Sequence, residues 1–175
     1  MPLNCPENIT LEFPNSPGNT YTFQFNGVTS LGEGLYRWCY TVSQSLLPGS
    51  GRGLSHFILE FCPDITRDNI TSVTLDGVPL SDEEPNPDFE FGNIKIFPPA
   101  NDPSIYGIKF DELGDLPSTL CFTLNINVEP APGTLSIKTG GGPASVDTVL
   151  TQENAICTPG CTIIPPRGRG VYCSI

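Results

Sequence analysis

The sequence predicts an all-β fold, an antiparallel β-sandwich or jelly roll. Three segments alternate apolar and polar residues with the period of a half-buried strand: TYTFQF (20–25), YRWCYTV (36–42) and TLCFTLNINV (119–128). The chain also holds 18 glycines and 19 prolines, many of them in turn-forming stretches between these segments. No stretch shows a sustained helical period. Two packed sheets are therefore expected, with a short N-terminal arm and a Cys-rich C-terminal tail.

The alternating strands define the expected core. Their apolar phase places Phe23, Trp38, Tyr40, Phe122 and Leu124 between the two sheets. Further strands are expected where β-branched and aromatic residues lie between turn signals such as PNSPGN, LPGSGRG, DGVP, PPANDP and TGGGP. In chain order these are ITLEF (9–13), LSHFILEFC (54–62), SVTLD (72–76), IKIF (94–97), IYGIKF (105–110), TLSIKT (134–139) and ASVDTVL (144–150).

The chain divides into an arm, a body and a tail. At 175 residues its length suits one domain. Residues 1–8 are expected to form the N-terminal arm, residues 9–152 the β-sandwich, and residues 153–175 a Cys/Pro-rich strap. Pro165 and Pro166 precede RGRG and predict an extended run in place of a regular ladder.

The charge balance excludes several classes of partner. A net charge of −11 and a pI near 4.2 oppose binding to nucleic acid, whose affinity comes mainly from Lys and Arg. The same charge disfavours anionic membrane surfaces, and no apolar run approaches the roughly 18–20 residues that span a bilayer. We expect no cofactor, no nucleic acid and no membrane among the partners.

The start of the chain lacks the basic and apolar regions of a secretory signal peptide. Seven cysteines nevertheless indicate a disulfide inventory, which needs an oxidising setting. The expected location is extracellular, at a cell or spore surface, reached by lysis of the producing cell and without a recognisable signal peptide.

Catalytic chemistry has few candidates in this sequence. His56 is the only histidine, so a hydrolase that needs a histidine base must use it, beside Ser55 and near Glu60. Neighbouring residues of a strand point to opposite faces, and no glycine-flanked nucleophile elbow surrounds the serine. We expect His56 to be a packed or surface strand histidine and the protein not to be an enzyme.

Two segments hold possible metal ligands. The acidic stretch SDEEPNPDFE contains carboxylates that suit calcium, although it lacks EF-hand spacing and a solvated charged loop is the favoured interpretation. These carboxylates are Asp82, Glu83, Glu84, Asp88 and Glu90. The tail offers Cys157, Cys161 and Cys173 for zinc, but a second closely spaced pair is missing and disulfide bonding is favoured.

Aromatic residues provide an alternative function. Tyr21, Tyr36, Trp38 and Tyr40 could stack on sugar rings, although their alternation with polar residues favours core packing. A monomeric, surface-displayed module that binds carbohydrate or calcium is therefore the alternative to a structural role.

The cysteines offer several pairings, and all seven are candidates for structural or intermolecular disulfides. They are Cys5, Cys39, Cys62, Cys121, Cys157, Cys161 and Cys173. Cys39 and Cys121 lie on the polar phase of their strands, which suits a bridge across adjacent strands or one that fastens the arm or tail. We also expect at least one tail cysteine to be bonded to a residue before position 130.

An odd cysteine count prevents complete pairing inside one chain. Three internal bridges leave one cysteine for a symmetric dimer. A head-to-tail link instead uses a donor and an acceptor per subunit, leaving at most two internal bridges, and it builds chains without closure. Cys5, on a short arm, is the expected donor.

The start MPLNC, the strand-rich body and the absence of a catalytic set resemble subunits of endospore appendages and related spore-surface fibres of Gram-positive bacteria. The resemblance implies a jelly-roll sandwich made without a signal peptide, whose N-terminal cysteine arm joins subunits covalently. A single Cys5 stands where such arms carry doubled cysteines. The leading hypothesis is a structural subunit that self-assembles head-to-tail into a disulfide-reinforced fibre or spore-surface layer. Other surface proteins are further candidate partners.

Overall fold

The computed structural model describes residues 4–49, 53–83, 85, 87–96, 103–111, 113, 115–140 and 148–165. Within these ranges the chain forms two antiparallel sheets with almost no helix, which confirms the predicted all-β sandwich. The strands are β1 (Asn8–Glu12), β2 (Thr20–Gly32), β3 (Leu35–Ser45), β4 (Leu54–Glu60), β5 (Ile70–Leu75), β6 (Val78–Pro79), β7 (Phe89–Lys95), β8 (Ser104–Asp111), β9 (Ser118–Leu124), β10 (Val128–Thr139) and β11 (Val149–Ile163). One 3₁₀ turn, Arg67–Asn69, precedes β5.

The two sheets contain different strands, and each sheet includes neighbours that are not consecutive in the chain. The first sheet has the strand order β1-β2-β3-β9-β5-β6, and the second has the order β11-β10-β4-β8-β7. Every hydrogen-bonded pair is antiparallel. The N-terminal strand β1 and the C-terminal strand β11 therefore lie at edges of different sheets.

Aromatic rings fill the space between the sheets, as the strand phase predicts. Phe23, Trp38, Tyr40, Phe122 and Leu124 are all fully buried. The ring of Phe23 in the first sheet meets Phe57 of the second edge to face, with centroids 5.0 Å apart. Edge-to-face contacts of this kind add to the burial of apolar area. A smaller apolar cluster, on the outer face of the second sheet, contains Ile58, Ile94, Ile96 and Ile105.

The predicted strand 119–128 is divided in two. β9 ends at Leu124, and β10 begins at Val128 in the other sheet. Asn125 causes the break because its backbone N–H donates to Asn69 O (3.0 Å) and its side-chain amide donates to Asp68 O (3.2 Å). Asparagine side chains compete in this way with ladder hydrogen bonds.

The C-terminal strand differs most from expectation. β11 runs through the expected boundary at residue 153, and Ala155, Ile156 and Cys157 are buried in the core. The described part of the tail is thus a strand of the sandwich and not a strap laid over it, while residues 166–175 lie outside the described residues. A close approach of β10 permits this packing, since a Cβ on Gly133 would lie 2.1 Å from Thr158 Oγ1.

Candidate functional site

The first disulfide joins the N-terminal residues to the last strand. Cys5 is bonded to Cys157 across 152 residues of sequence. The Cys157 N–H donates to Pro6 O (2.7 Å), and the buried Tyr40 hydroxyl donates to Cys157 O (2.9 Å). Burial raises the pKa of Tyr40 well above its ordinary value, so this hydroxyl keeps its proton. The expected role of Cys5 as the intermolecular donor is therefore corrected: its sulfur is already bonded inside the chain.

The second disulfide crosses two central strands of the first sheet. Cys39 of β3 lies directly opposite Cys121 of β9 and is bonded to it, with the Cα atoms 4.2 Å apart. Both residues are half-buried, and they alternate with the core residues Trp38, Tyr40 and Phe122. The bridge therefore lies on the outer face of the sheet, as the polar phase of the two cysteines predicts.

The third disulfide fastens the end of β4 to β11. Cys62 is bonded to Cys161, and its backbone N–H donates to Pro159 O (3.1 Å). With two bonds reaching residues before 130, the prediction that a tail cysteine is bonded to the body is confirmed. Three disulfides in a small β protein fit an extracellular or otherwise oxidising environment and a fold stabilised by cross-links.

The three disulfides determine which cysteine has no partner in its own chain. They consume six of the seven cysteines, so Cys173 has no cysteine partner left in its own chain. Cys173 itself lies outside the described residues. The zinc hypothesis loses Cys157 and Cys161, since a disulfide sulfur is not a thiolate ligand. The metal-donor group found within the described ranges, Cys62 with Asp64 and Cys161, contains a disulfide for the same reason.

Uncharged polar residues form the middle of the outer face of the first sheet, and the charged residues Glu12 and Arg37 share this face at its two ends. We call the uncharged middle the hydroxyl face, and it consists of Asn8, Thr10, Thr22, Gln24, Cys39, Thr41, Ser43, Thr74, Thr119 and Cys121. Register pairs align these residues in rows across β1, β2, β3, β9 and β5. The hydroxyls of Thr10 and Thr22 lie 2.9 Å apart, and Asn26 Nδ2 donates to Thr41 Oγ1 (2.8 Å). In a chain of net charge −11, ten neighbouring uncharged residues on one sheet face form a distinct surface.

The described carboxylates of the acidic stretch contact separate partners and do not converge on one another. Asp82 accepts two hydrogen bonds from the Arg67 guanidinium, and this pairing lowers the pKa of Asp82. The guanidinium also lies over the Phe89 ring, 5.4 Å from its centroid. Asp88 accepts from the Ser81 backbone N–H at 2.9 Å. Among the other candidates, Glu90 accepts from Lys109 Nζ (2.8 Å), Glu83 is exposed, and Glu84 lies outside the described residues.

His56 belongs to a charged cluster on the outer face of the second sheet. Its Nδ1 lies 3.5 Å from Asp111 Oδ1, and Lys109 Nζ contacts the carboxylates of Asp111 and Glu90, each at 2.8 Å. Burial, followed by the Lys109 and Lys138 charges, lowers the pKa of His56 to about 4, although Asp111 and Glu90 act in the opposite direction. Burial disfavours the charged form of Lys109, but the hydrogen bonds of Lys109 to Asp111 and Glu90 outweigh this effect. The pKa of Lys109 is therefore raised. His56 is therefore neutral at neutral pH.

The geometry separates His56 from its expected catalytic neighbours. Ser55 shares the strand phase of the core residues Phe57 and Leu59, so it points away from the face that carries His56. Glu60 instead accepts a hydrogen bond from the Thr134 backbone N–H (2.6 Å). Sequence inspection missed Asp111 and Lys109 as partners of His56 because they come from β8, and only the β4–β8 register brings them together.

The aromatic residues considered for sugar binding are mainly core residues. Tyr21, Trp38 and Tyr40 are buried, whereas Tyr36 is half-buried. They do not form an exposed stacking surface, which corrects this version of the carbohydrate hypothesis.

No protein-family model, curated protein or solved structure matches the chain. Across the described ranges, no helix has the length and apolar character needed to cross a bilayer.

Proposed function

We propose that this protein is a structural subunit that self-assembles into a disulfide-reinforced extracellular fibre or layer, with the spore surface as its location. One observation carries the proposal. The sandwich is closed by three internal disulfides, and the seventh cysteine, Cys173, is left to bond outside its own chain. A second subunit that presents the same thiol is the simplest partner for it.

This proposal replaces the N-terminal link by a C-terminal one. Three internal bridges correspond to the case in which a single remaining cysteine joins two subunits symmetrically. The link then begins beyond β11, whose last described neighbours are Ile164 and Pro165, so that it leaves the sandwich intact.

The hydroxyl face supports noncovalent contacts between subunits. Contact through the uncharged middle of two such faces requires little desolvation of charge, and desolvating charges opposes association. Rows of threonine and asparagine or glutamine side chains also supply donors and acceptors to an identical surface. A subunit can therefore combine one covalent link with an extended noncovalent contact.

A non-enzymatic role is part of the proposal. Within the described residues, His56 is neutral, partly buried and separated from Ser55 by the strand pleat. The acidic residues Asp82 and Glu90 are held by the cations Arg67 and Lys109. Neither arrangement presents a nucleophile beside a base.

Covalent multimers provide the test. The oxidised wild-type protein is expected to give disulfide-linked dimers or larger multimers on non-reducing gels that collapse to monomer on reduction. Cys173→Ser should remove these multimers, while the neighbouring change Ser174→Ala should keep them. A wild-type protein that stays monomeric in oxidising buffer, by gel and by size-exclusion chromatography, would falsify the proposed function.

A further inference from the structure

One of the three disulfides lines an open cleft. The cleft has a volume of about 170 Å³ and is bordered by residues 60–63, 131–133 and 158–161, which include both Cys62 and Cys161. Cys161 is exposed, although Cys62 is only 6% exposed. By contrast, Cys157 of the first disulfide is fully buried and its partner Cys5 is 9% exposed. The Cys62–Cys161 bond thus combines an exposed cysteine with a concave approach.

We propose that the Cys62–Cys161 disulfide is a thiol-exchange site, attacked at Cys161 by the Cys173 thiolate of a second copy. This inference rests on the proposed function and specifies how subunits join. The attacking sulfur forms a bond to Cys161 Sγ, the Cys62–Cys161 bond breaks, and Cys62 leaves as a thiolate. Cys62 then takes up the proton that Cys173 lost. One disulfide is exchanged for another, so no oxidant or reductant is needed.

The surrounding structure tolerates the loss of this internal bond. β11 remains paired with β10 on both sides of the cleft, at Pro132 with Cys157 and at Val128 with Ile163. The first disulfide still anchors Cys157. The Cys62 N–H also keeps its hydrogen bond to a β11 carbonyl. Exchange therefore changes the covalent connection without releasing the strand.

Exchange also changes the assembly that the cysteine count allows. Three internal bonds and one thiol give a symmetric pair, which closes. After exchange, each subunit keeps two internal bonds, donates Cys173 to one neighbour and accepts a thiol at Cys161 from another. Head-to-tail links of this kind propagate as a fibre wherever the rotation between successive subunits does not close a ring.

A second copy is favoured over the subunit's own tail by the direction of the chain. After Cys161, the strand continues away from the cleft, and the Ile164 N–H donates to Asn127 O (2.7 Å). Ile163 and Ile164 border a different cleft, together with Tyr36 and Asn127. The described chain therefore leaves the exchange site before the sequence reaches Cys173.

Charge at the cleft favours a basic attacking segment. A carboxylate oxygen of Asp64 lies within 4.8 Å of the sulfur atoms of Cys62 and Cys161. This charge repels an anionic thiol and attracts a cationic one. In the sequence, Arg167 and Arg169 closely precede Cys173, so the chain's own thiol is carried by a basic segment.

Disulfide mapping of mixed subunits tests the link. Isotopically labelled and unlabelled full-length proteins are mixed at neutral pH, the thiols are trapped by alkylation, and non-reduced digests are analysed by mass spectrometry. We expect Cys173–Cys161 peptides that join labelled to unlabelled chains, together with alkylated Cys62. Links that are only Cys173–Cys173 would overturn the exchange step and leave the proposed function standing. Cys173–Cys161 bonds only within single chains would also overturn it.

Small thiols test the site independently of assembly. In a Cys173→Ser protein, cysteamine should modify Cys161 faster than 3-mercaptopropionate does, relative to their rates with a free model disulfide. Asp64→Asn should reduce this preference by about fivefold, and Asp115→Asn, an exposed aspartate that does not border the cleft, should not change it. Modification mainly at Cys39 or Cys121, or an unchanged preference in Asp64→Asn, would contradict the assignment.

Discussion

At the residue scale, His56 is a group whose proton binding changes on folding. Its pKa is lowered from an ordinary 6.5 to about 4, first by burial and then by the nearby Lys109 ammonium. As pH falls through this window, the unfolded chain binds a proton that the folded protein excludes. The stability associated with neutral His56 is therefore fully present above about pH 6.5 and is lost as pH approaches 4.

The variant His56→Gln should isolate this effect. Between about pH 7 and pH 5, its urea unfolding midpoint should decline less than that of the wild-type protein, since glutamine binds no proton. Carboxylate titration is common to both proteins and cancels in the comparison. Parallel declines would show that folding leaves the His56 pKa unchanged.

Gly107 occupies a position where the backbone of β4 leaves no room for a side chain. A Cβ at this glycine would lie 1.9 Å from Leu59 O. Gly107→Ala should lower the free energy of unfolding by about 2–3 kcal/mol because the two strands must separate. Gly53→Ala is the control, since its nearest contact would be the Gln44 side chain at 3.8 Å. Equal unfolding midpoints for the two variants would contradict the close approach.

At the scale of elements, the alternation of residues along a strand predicts which side chains are buried better than it predicts where the strand ends. The alternation in YRWCYTV identifies both the buried Trp38 and the outward Cys39, because a period of two depends only on the local chain. The break after Leu124 needs the Asn125 contacts with Asp68 and Asn69, which come from a distant segment. Such long-range partners are invisible to a local pattern.

The strand β11, which carries two of the candidate cysteines, also could not be predicted from a local sequence pattern. Pro159 and Gly160 are residue types typical of turns, yet both lie in β11. They fit there because β10 carries small residues at this point and the two strands pack closely. A Cβ on Gly160 would lie 2.7 Å from the Ala131 side chain. The odd cysteine count predicts an intermolecular thiol, but only the three pairings of the folded chain together leave Cys173 in that role.

Removing the Cys5–Cys157 disulfide tests whether Cys5 forms a bond inside its own chain and not between subunits. The double variant Cys5→Ser/Cys157→Ala should be less stable by about 2–4 kcal/mol, because the bond restricts a long loop of the unfolded chain. Its covalent multimers on non-reducing gels should persist, since they depend on Cys173. Loss of multimers with an intact sandwich, checked by circular dichroism, would return the intermolecular role to Cys5.

At the scale of the whole molecule, the uncharged residues of the hydroxyl face contrast with the rest of the protein, which is strongly acidic. Gln24 is an exposed member of this face, in register with Asn8 and Thr41. Gln24→Glu adds a charge without changing size and should weaken noncovalent self-association about tenfold, because that charge must be desolvated beside a like charge from the second copy. Sedimentation velocity under reducing conditions measures this change.

The matched control places the same isosteric change elsewhere. Gln152→Glu, at an exposed position of β11, should leave the sedimentation profile unchanged. Equal weakening by both variants would indicate general charge repulsion and would remove the hydroxyl face as the contact surface.

Negative-stain electron microscopy of the oxidised, full-length protein shows directly whether the subunits assemble. We expect ordered multimers with a repeating subunit spacing, which shorten or disperse when a reductant is added. The Cys173→Ser protein imaged under the same conditions should show fewer and shorter assemblies. A field of separate particles of about 19 kDa at every protein concentration, with or without reductant, would contradict self-assembly.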